Sequence, residues 1–119
     1  MKFYPIIVIA SATLLTGCGM MSAVSTLMTF SDLPVPRATV KAGANKQSVL
    51  AAGQPDSTYQ ISNSSGICFD YVLQKEGKTS NFFVAFNSQT LVKGYGFTTC
   101  READNQGALK TNEAMKQRY

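Results

Sequence analysis

The sequence of 119 residues contains no histidine and only seven Asp or Glu residues. Histidine is the usual general base near neutral pH and the commonest metal ligand in proteins. Acid–base catalysis also needs at least two titratable groups in one pocket. Asp70 is the only carboxylate within the predicted strands, Glu76 lies on a predicted turn, and Ser62, Ser64 and Ser65 form a polar loop without a nucleophile motif. We therefore predict a protein that is not an enzyme, with no catalytic residues, no metal site and no cofactor.

The sequence also has no stripe of positive charge. Its formal net charge is +4, from 11 Lys and Arg against seven Asp and Glu, but the basic residues are scattered along the chain. Nucleic-acid binding needs Lys and Arg clustered on one face. This distribution predicts a solvated basic surface and no nucleic-acid partner.

The apolar run at the amino terminus, residues 3–15, is shorter than the roughly 20 residues that span a bilayer. It follows Lys2 and ends in Leu15-Thr16-Gly17-Cys18, which is typical of a signal peptide and resembles the bacterial lipobox. The resemblance implies cleavage after residue 17 and acylation of the cysteine. An ordinary secretory signal or a membrane-spanning helix are the alternatives.

Sorting of the lipoprotein depends on the residue after the acylated cysteine. Gly19 occupies that position, and by resemblance to bacterial sorting rules the absence of Asp there favours the outer membrane. Three acyl chains anchor a protein stably. We predict an outer-membrane protein that faces the periplasm, with acyl chains on Cys18 as its link to the membrane.

The densest apolar alternation lies between residues 66 and 100. The residues Ile67, Phe69, Tyr71 and Leu73 fall on one face of a strand by the two-residue period. A Gly-containing turn at 75–78 leads to a second strand at 81–86, and a polar turn at 87–90 leads to a third at 91–100. This pattern predicts a three-stranded antiparallel meander, to which residues 58–62 could add a short edge strand.

A short helix is predicted over residues 46–52. Asn45 is a good N-cap, Gly53 stands past the end, and Pro55 prevents continuation. A helix of two turns is stable only when it packs on something, so Val49 and its apolar neighbours should contact the sheet. The predicted fold class is α+β, with short helices packed on a three-stranded antiparallel sheet.

The domain organisation follows from these elements. We predict a signal peptide at 1–17, a lipidated tether at 18–35 that is extended at its prolines, a folded domain at 36–103 and a disordered tail at 104–119. The tail is predicted from its polar composition.

With Cys18 acylated, Cys68 and Cys100 remain as a pair in an oxidising compartment, where a disulfide is the default expectation. This pairing also disfavours a free, nucleophilic thiolate. In a plain meander, however, the third strand would carry Cys100 too far from Cys68 to bond. Either the chain bends back at Gly94 and Gly96, or the strand register is not the plain one.

About residues 30–110 resemble the OsmE-type lipoproteins, a branch of the wider BamE (SmpA/OmlA) family of outer-membrane lipoproteins. The most specific feature is the pair of cysteine-containing segments, which generic BamE domains lack. The resemblance implies two helices on a three-stranded sheet, a disulfide between the matching cysteines and a non-enzymatic role at the outer membrane. It is carried by Gly43, Asn45, Val49, Gly53-Gln54-Pro55, Gly66-Ile67-Cys68, Tyr71-Val72-Leu73, Phe83-Val84-Ala85 and Gly96-Phe97-Thr98-Thr99-Cys100.

Two classes of function agree with these features. The first is an interaction module that binds envelope proteins or outer-membrane assembly proteins, and the second is a structural lipoprotein without a stoichiometric partner. Tyr59, Tyr95 and Phe97 are the candidate partner-binding residues, because aromatic side chains are enriched at interface centres. They favour the first class if they form one exposed patch.

The lipobox interpretation predicts the effect of Cys18→Ser. Without the thiol the chain cannot be acylated, so it should keep its signal peptide and appear in cells as the larger precursor. Mass analysis of the protein from fractionated membranes measures this. Processing of the variant and its unchanged recovery with the outer membrane would contradict the interpretation.

Overall fold

The computed structural model describes residues 29–62 and 66–115. The predicted signal peptide and the predicted acylation at Cys18 lie outside these residues. In the described ranges the chain forms helices α1 (Pro34–Thr39), α2 (Lys46–Ala52) and α3 (Cys100–Asn105), and strands β1 (Ser57–Gln60), β2 (Ile67–Lys75), β3 (Lys78–Phe86) and β4 (Val92–Gly96). Within the same ranges, every helix is too short or too polar to cross a bilayer.

The four strands form one antiparallel sheet in the order β1-β2-β3-β4. The predicted meander is therefore confirmed as β2-β3-β4, and the α+β class is confirmed with four strands in place of three. The additional strand is β1, which lies at the edge of the sheet; its Ser57 pairs with Asp70 of β2 and its Gln60 pairs with Ile67. Its residues are mostly exposed and polar, which is why its apolar alternation is weak in the sequence.

The hairpin between β2 and β3 turns at Glu76 and Gly77. Both residues have positive φ, 54° and 77° respectively, and Lys75 pairs directly with Lys78. Two central residues with positive φ define a type I′ turn, whose twist matches that of the flanking strands. The turn predicted from the glycine is thus confirmed.

The main core lies between the sheet and the helices α1 and α2. The face of β2 that carries Phe69, Tyr71 and Leu73, called the first face below, packs against Val49 of α2. Helix α2 has the predicted bounds, and Asn45 caps it: its Oδ1 accepts from the Ser48 N–H at 2.9 Å while the Ser48 hydroxyl accepts from the Asn45 N–H at 3.0 Å. The predicted apolar face and the predicted helix are both confirmed.

The segment at Pro34 and Pro36 is helical, so the prediction of an extended tether there is wrong. Both prolines lie in the first turn of α1, where the backbone N–H has no partner within the helix and the fixed φ of proline is already helical. Phe30 and Val35 are buried in the main core. The folded domain therefore begins before the predicted boundary at residue 36.

The carboxyl-terminal boundary is also displaced. Helix α3 crosses the predicted limit at residue 103, and Leu109 is only 1% exposed. Further along, the Met115 N–H donates to the Val92 carbonyl at 2.9 Å. Folded structure thus continues into the predicted disordered tail as far as residue 115, because a few buried side chains and backbone hydrogen bonds hold a segment whose composition is polar.

The main core predicts the cost of truncating Phe69, which is 2% exposed and packs edge-on against Phe86 with ring centroids 4.9 Å apart. Phe69→Ala should lower the free energy of unfolding by about 3–5 kcal/mol, as for buried aromatic residues generally. Urea denaturation measures this. The matched control is Val72→Ala, three residues along the same strand and 47% exposed; equal losses in the two variants would contradict the assignment of the faces.

Candidate functional site

The disulfide between Cys68 and Cys100 joins β2 to α3 on the opposite side of the sheet, called the second face below. Both cysteines are fully buried, and their Cα atoms are 6.0 Å apart, within the usual range for a disulfide. The predicted bond is present in the structure. It connects β2, whose other face lines the main core, to the helix that follows the sheet.

The apparent conflict between the bond and the meander is resolved by the length of β4. This strand ends at Gly96. Gly96 pairs with Phe83 of β3, which pairs in turn with Asp70 of β2. Strand β4 therefore ends only two residues beyond the point in the sheet at which Cys68 lies. The chain then leaves the sheet through residues 97–99 and crosses the second face as α3. Gly94 and Gly96 both lie outside the positive-φ region; the bend therefore comes from the early end of β4 and not from a left-handed glycine.

The first turn of α3 is held by two capping interactions. The Asp70 carboxylate accepts a hydrogen bond from the Cys100 N–H at 2.8 Å, and the Thr99 hydroxyl accepts from the Glu102 N–H at 3.1 Å. Both satisfy backbone donors that a helix start leaves unpaired. The spacing of Thr99 and Glu102 is that of a capping box, a signal in the sequence that could have predicted this helix.

A polar cluster of Tyr59, Ser62, Lys93 and Asp104 lies beside the disulfide on the second face. The Asp104 Oδ2 accepts three hydrogen bonds: from the Tyr59 hydroxyl at 2.7 Å, the Ser62 hydroxyl at 2.6 Å and the Ser62 N–H at 3.1 Å. These donors come from β1 and the residues that follow it, more than 40 positions from the helix. The cluster therefore fastens α3 to the edge of the sheet.

The charges of the polar cluster are nearly removed from solvent. Asp104 is 9% and Lys93 6% exposed, and the Lys93 Nζ donates to the Leu109 carbonyl at 3.0 Å. Hydrogen bonds from Ser62 and then Tyr59 lower the pKa of Asp104, whereas burial lowers the pKa of Lys93 against the opposing effect of Asp104. The hydrogen bond to Asp104 raises the pKa of Tyr59.

An open groove of about 510 Å³ lies next to the polar cluster, where β1 begins. The Asp56 Oδ2 at its rim accepts a hydrogen bond from the Val72 N–H at 2.7 Å. The Tyr71 hydroxyl donates to the Gly53 carbonyl at 2.8 Å. Burial raises the pKa of Tyr71 to about 12. The groove is lined by Asp56, Ser57, Thr58, Tyr59, Asp70, Tyr71, Val72, Asn81, Thr99 and Arg101.

The three aromatic residues predicted to bind a partner do not come together. Tyr59 pairs with Cys68 and lies on the second face. Tyr95 and Phe97 lie on the first face, packed on Phe82 with ring centroids 6.1 and 5.1 Å away. The condition of one exposed patch is therefore not met, because the strand register puts Tyr59 and Tyr95 on opposite sides of the sheet.

The polar cluster was missed by the sequence analysis. The sequence pattern placed Ser62 only in a polar loop and Asp104 in a polar tail, and it offered Lys93 as a possible partner of Asp70, whereas Asp70 accepts from the Cys100 N–H. Nothing in their local sequence marks them, because the hydrogen bonds between them join distant parts of the chain.

Within residues 29–62 and 66–115, His, Cys, Asp and Glu form no group of three or more that could hold a metal ion.

Together these features define a class of protein. It is a small α+β domain in which two short helices cover one face of an antiparallel sheet and a disulfide-linked third helix crosses the other. A solved structure has a similar fold: the crystal structure of an OsmE lipoprotein matches with a TM-score of 0.62 and 33% sequence identity, over 68% of this chain and 93% of that chain.

Sequence comparison agrees with the structural match. The chain is 33% identical over 72 residues to the proteins named osmotically inducible lipoprotein OsmE from Escherichia coli K12 and O157:H7. The match covers 60% of this chain and spans about 64% of the length of those relatives. No family model matches the chain. With the match to nearly the whole of the solved OsmE chain, these likenesses show that the protein belongs to the OsmE family of lipoproteins.

The disulfide predicts a large loss of stability in the double variant Cys68→Ser with Cys100→Ser. Removing the cross-link should lower the free energy of unfolding by roughly 3–4 kcal/mol on the chain-entropy model. Urea denaturation measures the loss, and non-reducing mass analysis of the unchanged protein should find the two cysteines joined. Two titratable thiols in protein kept from reductant would contradict the prediction.

The lowered pKa of Asp104 predicts a pH-dependent effect of Asp104→Asn. A carboxylate with a lower pKa in the folded state stabilises the fold fully above its unfolded pKa of about 3.9, and the contribution disappears as the pH falls through the folded pKa. The variant should therefore be less stable at pH 7, and the difference should shrink below about pH 4. Melting temperatures from pH 7 to pH 2.5 test this against Glu113→Gln, an exposed control; a difference that grows in acid would contradict it.

Proposed function

We propose that the protein is a non-enzymatic lipoprotein of the outer membrane, anchored through acyl chains on Cys18 and facing the periplasm, where it acts as an interaction module in envelope maintenance or stress. The observation that carries the proposal is the match to OsmE lipoproteins over nearly the whole of a solved OsmE domain. The lipobox sequence at residues 15–18 supports the anchor. The name of the relatives supports a link to osmotic stress.

A non-enzymatic role is supported by the hydrogen bonds of three carboxylates, of which Asp104 is buried, Asp70 half-buried and Asp56 exposed. Asp56, Asp70 and Asp104 accept hydrogen bonds from the backbone N–H groups of Val72, Cys100 and Ser62 respectively. Charge-assisted bonds of this kind are strong. Carboxylates engaged in this way stabilise the fold, and the proposal gives them no role in proton transfer and requires no cofactor.

The alternative is a structural lipoprotein that acts at the membrane without a stoichiometric partner. One observation favours it: the aromatic side chains expected to form an interface are divided between the two faces, and Tyr95 and Phe97 pack against the main core. The interaction module then has to bind its partner through another surface. The two functions differ in whether a fixed partner exists.

Crosslinking of the tagged protein in intact cells separates these functions. An interaction module should yield one envelope protein, or a few, in a fixed ratio in the mass-spectrometric analysis, and that protein should be lost from the Cys18→Ser variant, which cannot reach the outer membrane. Sucrose-gradient fractionation of the same cells tests the location. Crosslinks spread over abundant neighbours in proportion to their amount would favour the structural lipoprotein.

A further inference from the structure

The outer side of β1 is an open sheet edge. In the β1–β2 ladder Ser57 and Tyr59 pair with Asp70 and Cys68, and their backbone groups face β2. The backbone N–H and C=O groups of Thr58 and Gln60 therefore face outward. No residue in the described ranges forms a hydrogen bond with them.

This edge is unlike the edge on the other side of the sheet. Strand β4 is covered: the Met115 N–H donates to the Val92 carbonyl, and Asn45 bridges to Leu91. Exposed edges in monomeric proteins are normally protected by charge, proline or a bulge. Strand β1 is short, and Pro55 and Asp56 precede it, but its own four residues, Ser-Thr-Tyr-Gln, contain no charge or proline and keep a regular register with β2. As far as residues 29–62 and 66–115 are concerned, its outer side is open to pairing with another extended chain.

The groove described above lies directly beside this edge and supplies the place for a side chain. Asp56 and Asp70 each use one carboxylate oxygen to accept a backbone N–H, and no described residue bonds the other oxygen of either. Val72, 47% exposed, adds an apolar surface. With Arg101, the only other charged residue of the lining, the groove has a net charge of −1 and favours a cationic group.

We propose that the β1 edge binds an extended segment of a partner protein, which pairs with Thr58 and Gln60 as a fifth strand and places a Lys or Arg side chain in the groove near Asp56 and Asp70. This mode of recognition takes affinity from main-chain hydrogen bonds and specificity from side-chain pockets. The inference gives the class of partner for the interaction module proposed above and rests on that proposal.

A second copy of this chain is the other occupant of such an edge. Antiparallel pairing of two four-residue edges would bury much less than the roughly 1,200 Å² of a stable interface. It would also leave the groove without a basic side chain, because β1 carries no Lys or Arg. An extended basic segment uses both the edge and the groove.

The test uses the full chain purified from membranes in detergent and a fluorescent peptide, acetyl-Thr-Val-Lys-Val-Thr-amide, as the probe. Binding is followed by fluorescence anisotropy and by the backbone amide signals of Thr58 and Gln60. Thr58→Pro removes an outward N–H that β2 does not use and should weaken binding about tenfold, the effect of one main-chain hydrogen bond. Thr58→Val keeps the N–H and should bind within about twofold of the unchanged protein.

The same bond is tested from the side of the peptide, so that the result does not depend on the fold of Thr58→Pro. N-methylation of the peptide amides that face β1 should abolish binding to the unchanged protein, and replacing the peptide Lys by Glu should weaken it at least tenfold. Equal binding of the Lys and Glu peptides, or of the methylated peptide, would overturn the proposal. So would a dimer through β1 in light scattering without peptide.

These outcomes are distinct from those that test the proposed function. Correct acylation and a fixed crosslinked partner in cells, together with no binding of the Lys peptide, would reject only the β1 edge as the docking surface. Loss of the crosslinked partner in cells that carry Thr58→Pro, with the partner retained by Thr58→Val, would support the edge as the surface used in the envelope.

Discussion

The second face of the sheet depends on the covalent bond between Cys68 and Cys100. Helix α3 has only six residues and is far too short to be stable by itself. The disulfide ties its first residue to β2, and Asp70 and Thr99 cap the backbone N–H groups of its first turn. The position of the residues that follow, up to buried Leu109, depends on that attachment.

The two faces of the sheet are stabilised in different ways. The first face carries large apolar side chains, such as Phe69, Phe82 and Phe86, against the short helices α1 and α2. The second face combines the disulfide and a smaller apolar cluster, which includes Ile61, Phe83 and Leu109, with the polar cluster. Burying Lys93 and Asp104 costs free energy that their hydrogen bonds offset, and arrangements of this kind contribute more to a unique docking geometry than to net stability.

This division limits which surfaces are free for recognition. Most of the large aromatic side chains pack in the main core, and the carboxylates of the groove are partly committed to backbone N–H groups. Among the described residues, the proposed docking surface uses backbone groups at a sheet edge and a shallow groove with a slight negative charge. Recognition by such a surface would depend on the extended conformation of the partner, in agreement with the interaction module proposed above.

The sequence by itself determined the parts of the fold that follow from local patterns. The alternation in β2 sets its apolar face, because side chains on a strand point alternately to the two sides. Asn45 and Gly53 set the bounds of α2, and a glycine beside Glu76 sets the tight turn. The two cysteines that remain after acylation of Cys18 indicated a disulfide, although a straight third strand would hold them too far apart to bond.

The tertiary structure alone decided the rest. Strand β1 is defined by its register with β2. Helix α1 starts at a proline because the first helical turn needs no N–H there. Helix α3 is held by a disulfide to a residue 32 positions away. Asp104 and Tyr59 meet across 45 positions, and Tyr95 lies on the other side of the sheet from Tyr59. These contacts join residues that are distant in the chain, so no local period, cap or turn contains them, and only the packed sheet brings them together.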